Sequence, residues 1–142
     1  MKVLFLCTGN SCRSILAEAV FNNLAPAGMR ASSAGSNPAG VVHPRSIALL
    51  ARKGIPAEGY YSKSWSEITA KPDLVVTVCN NAAGEACPAF LGDVKRVHWD
   101  IEDPARATGT DAEIEAKFEE VFSILERNIK THLLESELVN TR

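Results

Sequence analysis

The chain has 142 residues, 15 Lys and Arg against 17 Asp and Glu, and a formal net charge of −2. That length suits a single domain spanning 1–142, and 46% hydrophobic residues are enough for one core without covalent staples. The charge balance argues against a nucleic-acid or membrane-surface binder, and no apolar run reaches the roughly 20 residues of a membrane span.

The opening MKVLFLC resembles a signal peptide only briefly, because Thr8-Gly9-Asn10 and Arg13 interrupt it. A cytoplasmic protein is therefore expected, and a monomer is expected as well. Four cysteines in that setting point to redox, nucleophilic or metal chemistry rather than to structural disulfides.

In chain order, Val3–Leu6 is a continuous apolar run, the pattern of a strand buried on both faces. Ser14–Ala25 places Leu16, Val20 and Leu24 four apart beside Phe21, which predicts a helix with one apolar face. Arg30–Ser36 is a weaker strand ending at Gly35. Pro44–Lys53 reads as a helix with proline in its first turn and Gly54 as its stop. Ser64–Ala70 suggests a short helix, and the valine-rich Leu74–Cys79 a second buried strand. Val94–Trp99 fits a fourth strand. Thr110 and Glu113 form a capping box, followed by a helix with Ile114, Phe118, Val121, Phe122, Leu125, Ile129 and Leu133 along one side. Strands alternating with helices predict an α/β fold with a mainly parallel sheet covered by helices on both faces.

The first strand-to-helix junction carries Cys7-Thr8-Gly9-Asn10-Ser11-Cys12-Arg13-Ser14. Such junctions are where open α/β sheets bind ligands. The N–H groups of a turn entering a helix form an anion cradle, reinforced by the helix dipole. Gly9 would supply a positive φ and close backbone approach. Asn10 would brace the loop from its side chain. Arg13 can hold two oxygens of a tetrahedral oxyanion in its planar fork. Cys7 would face these donors, and Ser14 could add a hydrogen bond to its sulfur, so the thiolate is favoured. The Cys-x5-Arg spacing thus presents a nucleophile and a clamp to one oxyanion.

This loop at the very N-terminus, together with Asp103-Pro104, resembles the low-molecular-weight protein tyrosine phosphatase family. Within that family, DLVVTVCNNAAGEACP and VHWDIEDPARA resemble the arsenate reductase branch. The resemblance covers nearly the whole chain. It implies a three-layer α/β fold with a four-stranded parallel sheet flanked by helices, and an oxyanion site built from Thr8, Gly9, Asn10, Ser11, Cys12, Arg13 and Ser14. Asp103, held out of helix by Pro104, is the expected general acid for a departing hydroxide or alkoxide. Neighbouring Glu102 is expected to be solvated and to point elsewhere.

Cys79 closes the third strand and Cys87 follows eight residues later. Two small buried hydrophobes, a metal site shared with His98, and a redox relay are all readings of this pair. The spacing is not that of a zinc knuckle, and no metal is expected. If residues 79–87 were helical, their ends would lie about 12 Å apart, whereas a disulfide needs Cα atoms within about 7 Å. A Cys79–Cys87 bond would therefore require the segment 80–91 to change shape. The resemblance implies the relay: Cys7 attacks arsenate, Cys79 attacks the adduct, Cys87 attacks Cys79, and thioredoxin, or glutaredoxin in its place, reduces the final disulfide. No bound cofactor is implied. The best-known thioredoxin-coupled members have one fewer residue between the last two cysteines. Cys12 is expected to be structural.

The alternative function is a phosphatase that hydrolyses phosphomonoesters with Cys7, Arg13 and Asp103. Such an enzyme would want aromatic walls after Asp-Pro, where this chain has Ala105-Arg106-Ala107, and it has no use for Cys79 and Cys87. His43, His98 and His132 are expected at the surface or in satisfied positions. Trp65 and Trp99 are expected to pack, and Tyr60, Tyr61 and Arg106 carry no assigned role.

Overall fold

The computed structural model describes residues 1–68, 71–78 and 94–134. Four strands form one parallel sheet: β1 (Lys2–Cys7), β2 (Arg30–Gly35), β3 (Leu74–Thr77) and β4 (Lys95–His98). Their order is β2-β1-β3-β4. The chain steps from β1 to one side and then crosses to the other, so the carboxyl end of β1 is a topological switch point, where a crevice opens. The four-stranded parallel sheet with flanking helices is the architecture expected from the sequence.

Because β1 is central, both of its faces are buried. Val3, Phe5 and Cys7 join the main core with residues of α1 (Arg13–Leu24), α2 (Pro44–Arg52) and α3 (Asp111–Asn128). Leu4 and Leu6 join a smaller cluster with Ala34 and Val75, covered among the described residues by Trp65, Ile68 and Val94. Phe5 sits at the centre of the main core, its ring 6.1 Å from Phe21 and 6.2 Å from Trp99. The packing roles expected of Trp65 and Trp99 hold.

The helix α1 differs from the one-faced amphipathic helix predicted. Every residue from Arg13 to Phe21 is buried, including Ser14 and Glu18. The reason is its position: it packs against β1 and β2 on one side and against α2 and α3 on the others. Its polar residues survive there because each has a hydrogen-bond partner.

The helix α2 starts as predicted at Pro44, with His43 as N-cap accepting from Arg45 N–H at 3.1 Å, and it ends before Gly54 at φ +70°. Over the described part of the expected 64–70 helix there is a single 3₁₀ turn, Trp65–Glu67. The capping box at the start of α3 is formed: Glu113 N–H donates to Thr110 Oγ1 and Thr110 N–H to Glu113 Oε1, each at 3.2 Å. This helix ends at Asn128 and continues as a π-helical turn, Ile129–Leu134. The wider turn lets the adjacent Leu133 and Leu134 both face the core. Among the described residues, no helix is long and apolar enough to cross a membrane.

Leu16 is fully buried in this all-round environment. Leu16→Ala should therefore destabilise the fold by about 2–5 kcal/mol, whereas Thr110→Ala, which removes a cap, should cost about 1 kcal/mol. Urea unfolding of the two variants checks the ranking.

Candidate active site

The β1–α1 loop owes its shape to where its carbonyl groups go. Cys7 C=O accepts from Ser36 N–H, Thr8 C=O from Asn37 N–H, and Gly9 C=O from Ala39 N–H. Gly9 C=O also accepts from Ser62 Oγ at 3.1 Å. Ser11 C=O accepts from His43 N–H at 3.1 Å and Ser46 Oγ at 3.3 Å. These acceptors all turn outward, to segment 36–46 and Ser62. The opposite side of the loop therefore presents N–H groups, and Asn10 N–H lies 3.1 Å from Cys7 Sγ. The first turn of α1 contains no acidic residue and its N-cap position, Cys12, makes no side-chain cap bond, so the helix dipole faces the same cradle.

Asn10 is the brace. It is fully buried and is the described non-glycine residue with positive φ, +48°. Here the sequence expectation for Gly9 is corrected: Gly9 is not among the residues with positive φ, and a Cβ added to it would meet nothing within 4 Å. Asparagine tolerates the left-handed region when its side chain is bonded, and this one is bonded on all sides. Its Oδ1 accepts from Lys63 N–H at 2.8 Å. That fixes Nδ2 as the donor to Ser14 Oγ at 2.8 Å and Ser33 Oγ at 3.0 Å. Ser14 Oγ also lies 2.8 Å from Cys7 Sγ, within hydrogen-bond reach. Ser33 Oγ, accepting from Asn10 in the same way, donates to Glu18 Oε1. Burial pushes the Glu18 carboxyl up from its usual range, against that hydrogen bond and the charge of Lys63.

The glycine that the loop does require is Gly35, opposite Cys7 in the β1–β2 register. A Cβ there would collide with the carbonyl oxygen of Thr8 and press on Asn10 N and Cβ, both at 3.1 Å. Gly35, Ser33, Ser46, Ser62, Lys63 and His43 are the site residues that motif reading missed. A glycine and serines closing β2 were the only local signal.

Arg13 is 3% exposed. Its Nη1 donates to Val78 C=O at 3.2 Å and to Ile101 C=O at 3.1 Å. The guanidinium is thus lashed to the chain leaving β3 and to the segment after β4. Its Nη2 lies 3.7 Å from Asp103 Oδ2. Asp103 caps the 3₁₀ turn Pro104–Arg106 by accepting Ala105 N–H at 3.0 Å on Oδ1. Glu102 points away, to Lys117 at 3.0 Å, as expected. Cys7, Arg13 and Asp103 line one cleft of about 330 Å³, walled by Ala39, Val41, His43, Pro44 and Ala105. His43, given no role from sequence, is both the α2 cap and part of this wall.

Cys12 is buried in the core, and burial pushes its thiol up to about 12, partly opposed by a hydrogen bond with Ser46. It stays protonated at physiological pH, as a structural cysteine should. His98 pairs with Thr77, Nδ1 to Oγ1 2.7 Å. Cys79, Cys87 and the expected shape-changing segment 80–91 lie outside the described residues. Among the described residues, no group of three or more His, Cys, Asp or Glu could hold a metal ion.

A buried cysteine under an N–H cradle, an arginine fork and a carboxyl group at the mouth form an arrangement suited to nucleophilic chemistry on tetrahedral oxyanions. The chain belongs to the low molecular weight phosphotyrosine protein phosphatase family, which it matches over residues 2–141. Its relatives within the family include an arsenate reductase of Halalkalibacterium halodurans, 40% identical over 130 residues, covering 91% of this chain and 92% of the relative. Among solved structures it is similar to an arsenate reductase from Archaeoglobus fulgidus (TM-score 0.73, 30% identity, covering 90% of this chain and 98% of that one). It is also similar to a thioredoxin-dependent arsenate reductase from Corynebacterium glutamicum (TM-score 0.65, 28% identity, covering 94% of this chain and 62% of that one).

Two outcomes follow from the site. Gly35→Ala must move the loop backbone, so phosphate binding measured by calorimetry should fall at least about tenfold, while unfolding shows a loss of about 1–3 kcal/mol. Cys12 forms thiolate only near pH 12. Iodoacetamide at pH 8 followed by peptide mass mapping should therefore modify Cys7 and leave Cys12 unlabelled in the folded protein.

Proposed function

We propose that the protein reduces arsenate to arsenite. The observation that carries this reading is the attachment of Arg13. The same guanidinium that faces the Cys7 cradle is bound to Val78 C=O, and Val78 is the residue immediately before Cys79. The oxyanion site and the stretch of chain that leads to the second thiol are thus tied to one side chain.

In this mechanism the cradle N–H groups and Arg13 hold arsenate above Cys7, and the hydrogen bonds from Asn10 N–H and Ser14 stabilise the thiolate. Cys7 attacks arsenic, and Asp103 protonates the oxygen that leaves. Cys79 then attacks the Cys7 sulfur. The S–As electron pair passes to arsenic, arsenite departs, and a Cys7–Cys79 disulfide remains. Cys87 attacks Cys79 and frees Cys7. An external dithiol, thioredoxin by our reading and glutaredoxin as its rival, reduces the Cys79–Cys87 disulfide. No bound cofactor is needed, because the thiols carry both electrons. A monomer in the cytoplasm, where thiols are kept reduced, suits this cycle.

For the alternative, a phosphatase hydrolysing phosphomonoesters, the described part of the cleft wall gives an aryl group little support. Ala39, Val41, His43, Pro44 and Ala105 include no Phe, Tyr or Trp to hold a phenyl ring.

Arsenate-dependent NADPH oxidation, coupled through thioredoxin and its reductase, tests the proposal. Cys7→Ser should lose all turnover, and Cys79→Ser and Cys87→Ser should lose multiple turnover. Asp103→Asn should slow the reaction by about 10²–10⁴-fold. Normal turnover in both Cys79→Ser and Cys87→Ser would refute the relay, whereas phosphomonoester hydrolysis with no arsenate-dependent NADPH oxidation by the unmodified protein would favour the phosphatase. Exchanging thioredoxin for glutaredoxin plus glutathione identifies the reductant.

A further inference from the structure

The cleft is larger and more apolar than inorganic arsenate requires. Four oxygens at roughly the volume of a water each occupy about 120 Å³, well under half of the 330 Å³ available. The floor is polar, made by Cys7, the loop and Arg13. Above it stand Ala39, Val41, Pro44 and Ala105, with His43 beside them and Asp103 at the mouth. Val41 is 65% exposed, an apolar side chain held in water at the rim of an anion site. A bare oxyanion gains nothing from such walls, since its outward oxygen stays better solvated by water than by methyl groups.

We propose that this rim is a subsite for a short aliphatic group carried by the oxyanion, and that alkylphosphonates and alkylarsonates are consequently tight, unreactive ligands. The inference rests on the proposed reading of the cradle and Cys7. The direction follows from displacement geometry. The nucleophile and the leaving group lie in line, so the three groups held in the cradle stay and the outward one departs past Asp103. A phosphonate or arsonate offers its three oxygens to the cradle, which places carbon outward. Carbon would have to leave as a carbanion, so no bond breaks and no electrons move. The carbon chain instead lies against Val41, Ala39, Pro44 and Ala105. Among the described residues, the walls bring no Phe, Tyr or Trp to stack on an aromatic ring.

Titration calorimetry of the reduced full-length protein, at one pH, with inorganic phosphate and with methyl-, ethyl-, propyl- and phenylphosphonate tests this. The expected result is a Kd that falls about two- to fourfold with each added CH₂ from methyl to propyl. Val41→Ser should flatten the series, read as each phosphonate's Kd relative to that of inorganic phosphate in the same variant. Propylarsonate should compete with arsenate and remain unreduced. A flat series, a series unaffected by Val41→Ser, phenylphosphonate binding tenfold tighter than propylphosphonate, or conversion of propylarsonate to its trivalent form would each overturn the subsite. The binding arms require no turnover. A graded series without arsenate reduction sinks the reductase reading alone, and a flat series with normal arsenate reduction sinks the subsite alone.

Discussion

A loop can offer its N–H groups to an anion only if its carbonyls are satisfied elsewhere, and this constraint organises the molecule. Here the carbonyls of Cys7, Thr8, Gly9 and Ser11 are taken up by segment 36–46 and Ser62. Asn10 then fixes the turn from inside, with Lys63, Ser14 and Ser33 as its partners. The bracing groups come from β2, the start of α2 and the 60s segment, so the cradle is a product of the tertiary fold. Its cost is a set of buried polar side chains, and no described buried side-chain N or O lacks a partner. A half-satisfied network would be worse than an apolar core, which is why the small residues under the loop, Gly35 above all, tolerate so little change.

The parallel sheet supplies the frame for this arrangement. β1 ends at Cys7, between neighbours that end at Gly35 and Thr77. The crevice at the switch point therefore receives Cys7 from β1, the loop's support from β2, and the chain leading to Cys79 from β3. Arg13 ties the last of these to the oxyanion site through Val78 and Ile101. Asp103 arrives from the segment after β4, aimed by its own cap bond to Ala105.

Much of this was readable from residue order, and the exceptions have physical reasons. The strands, the helix starts at Pro44 and Asp111, and the Cys7–Arg13 loop are legible because their signals are local: apolar runs, caps, and a nucleophile and clamp six residues apart. Positive φ was assigned to Gly9 because glycine permits it. It belongs to Asn10 because partners 23 and 53 residues away stabilise it there, and local pattern carries no trace of them. The helix α1 reads as one-faced because Leu16, Val20 and Leu24 stand four apart. The burial of its polar Arg13, Ser14 and Glu18 becomes intelligible only through their bonds with Val78, Cys7 and Ser33. The roles of Gly35 and His43 were invisible for the same reason: each acts on the loop across the fold, and neither lies in a motif.

The four cysteines end with distinct environments or assignments. Cys7 is the proposed nucleophile in the cradle, Cys12 is buried and protonated, and Cys79 and Cys87 are the proposed source of two electrons. The most direct test is a single turnover of the fully reduced protein with arsenate and no external reductant. The account predicts one arsenite released per protein and a fall from four titratable thiols under denaturing conditions to two, with Cys79 and Cys87 recovered as the disulfide. Four thiols remaining after arsenate is bound, with no arsenite formed, would contradict it.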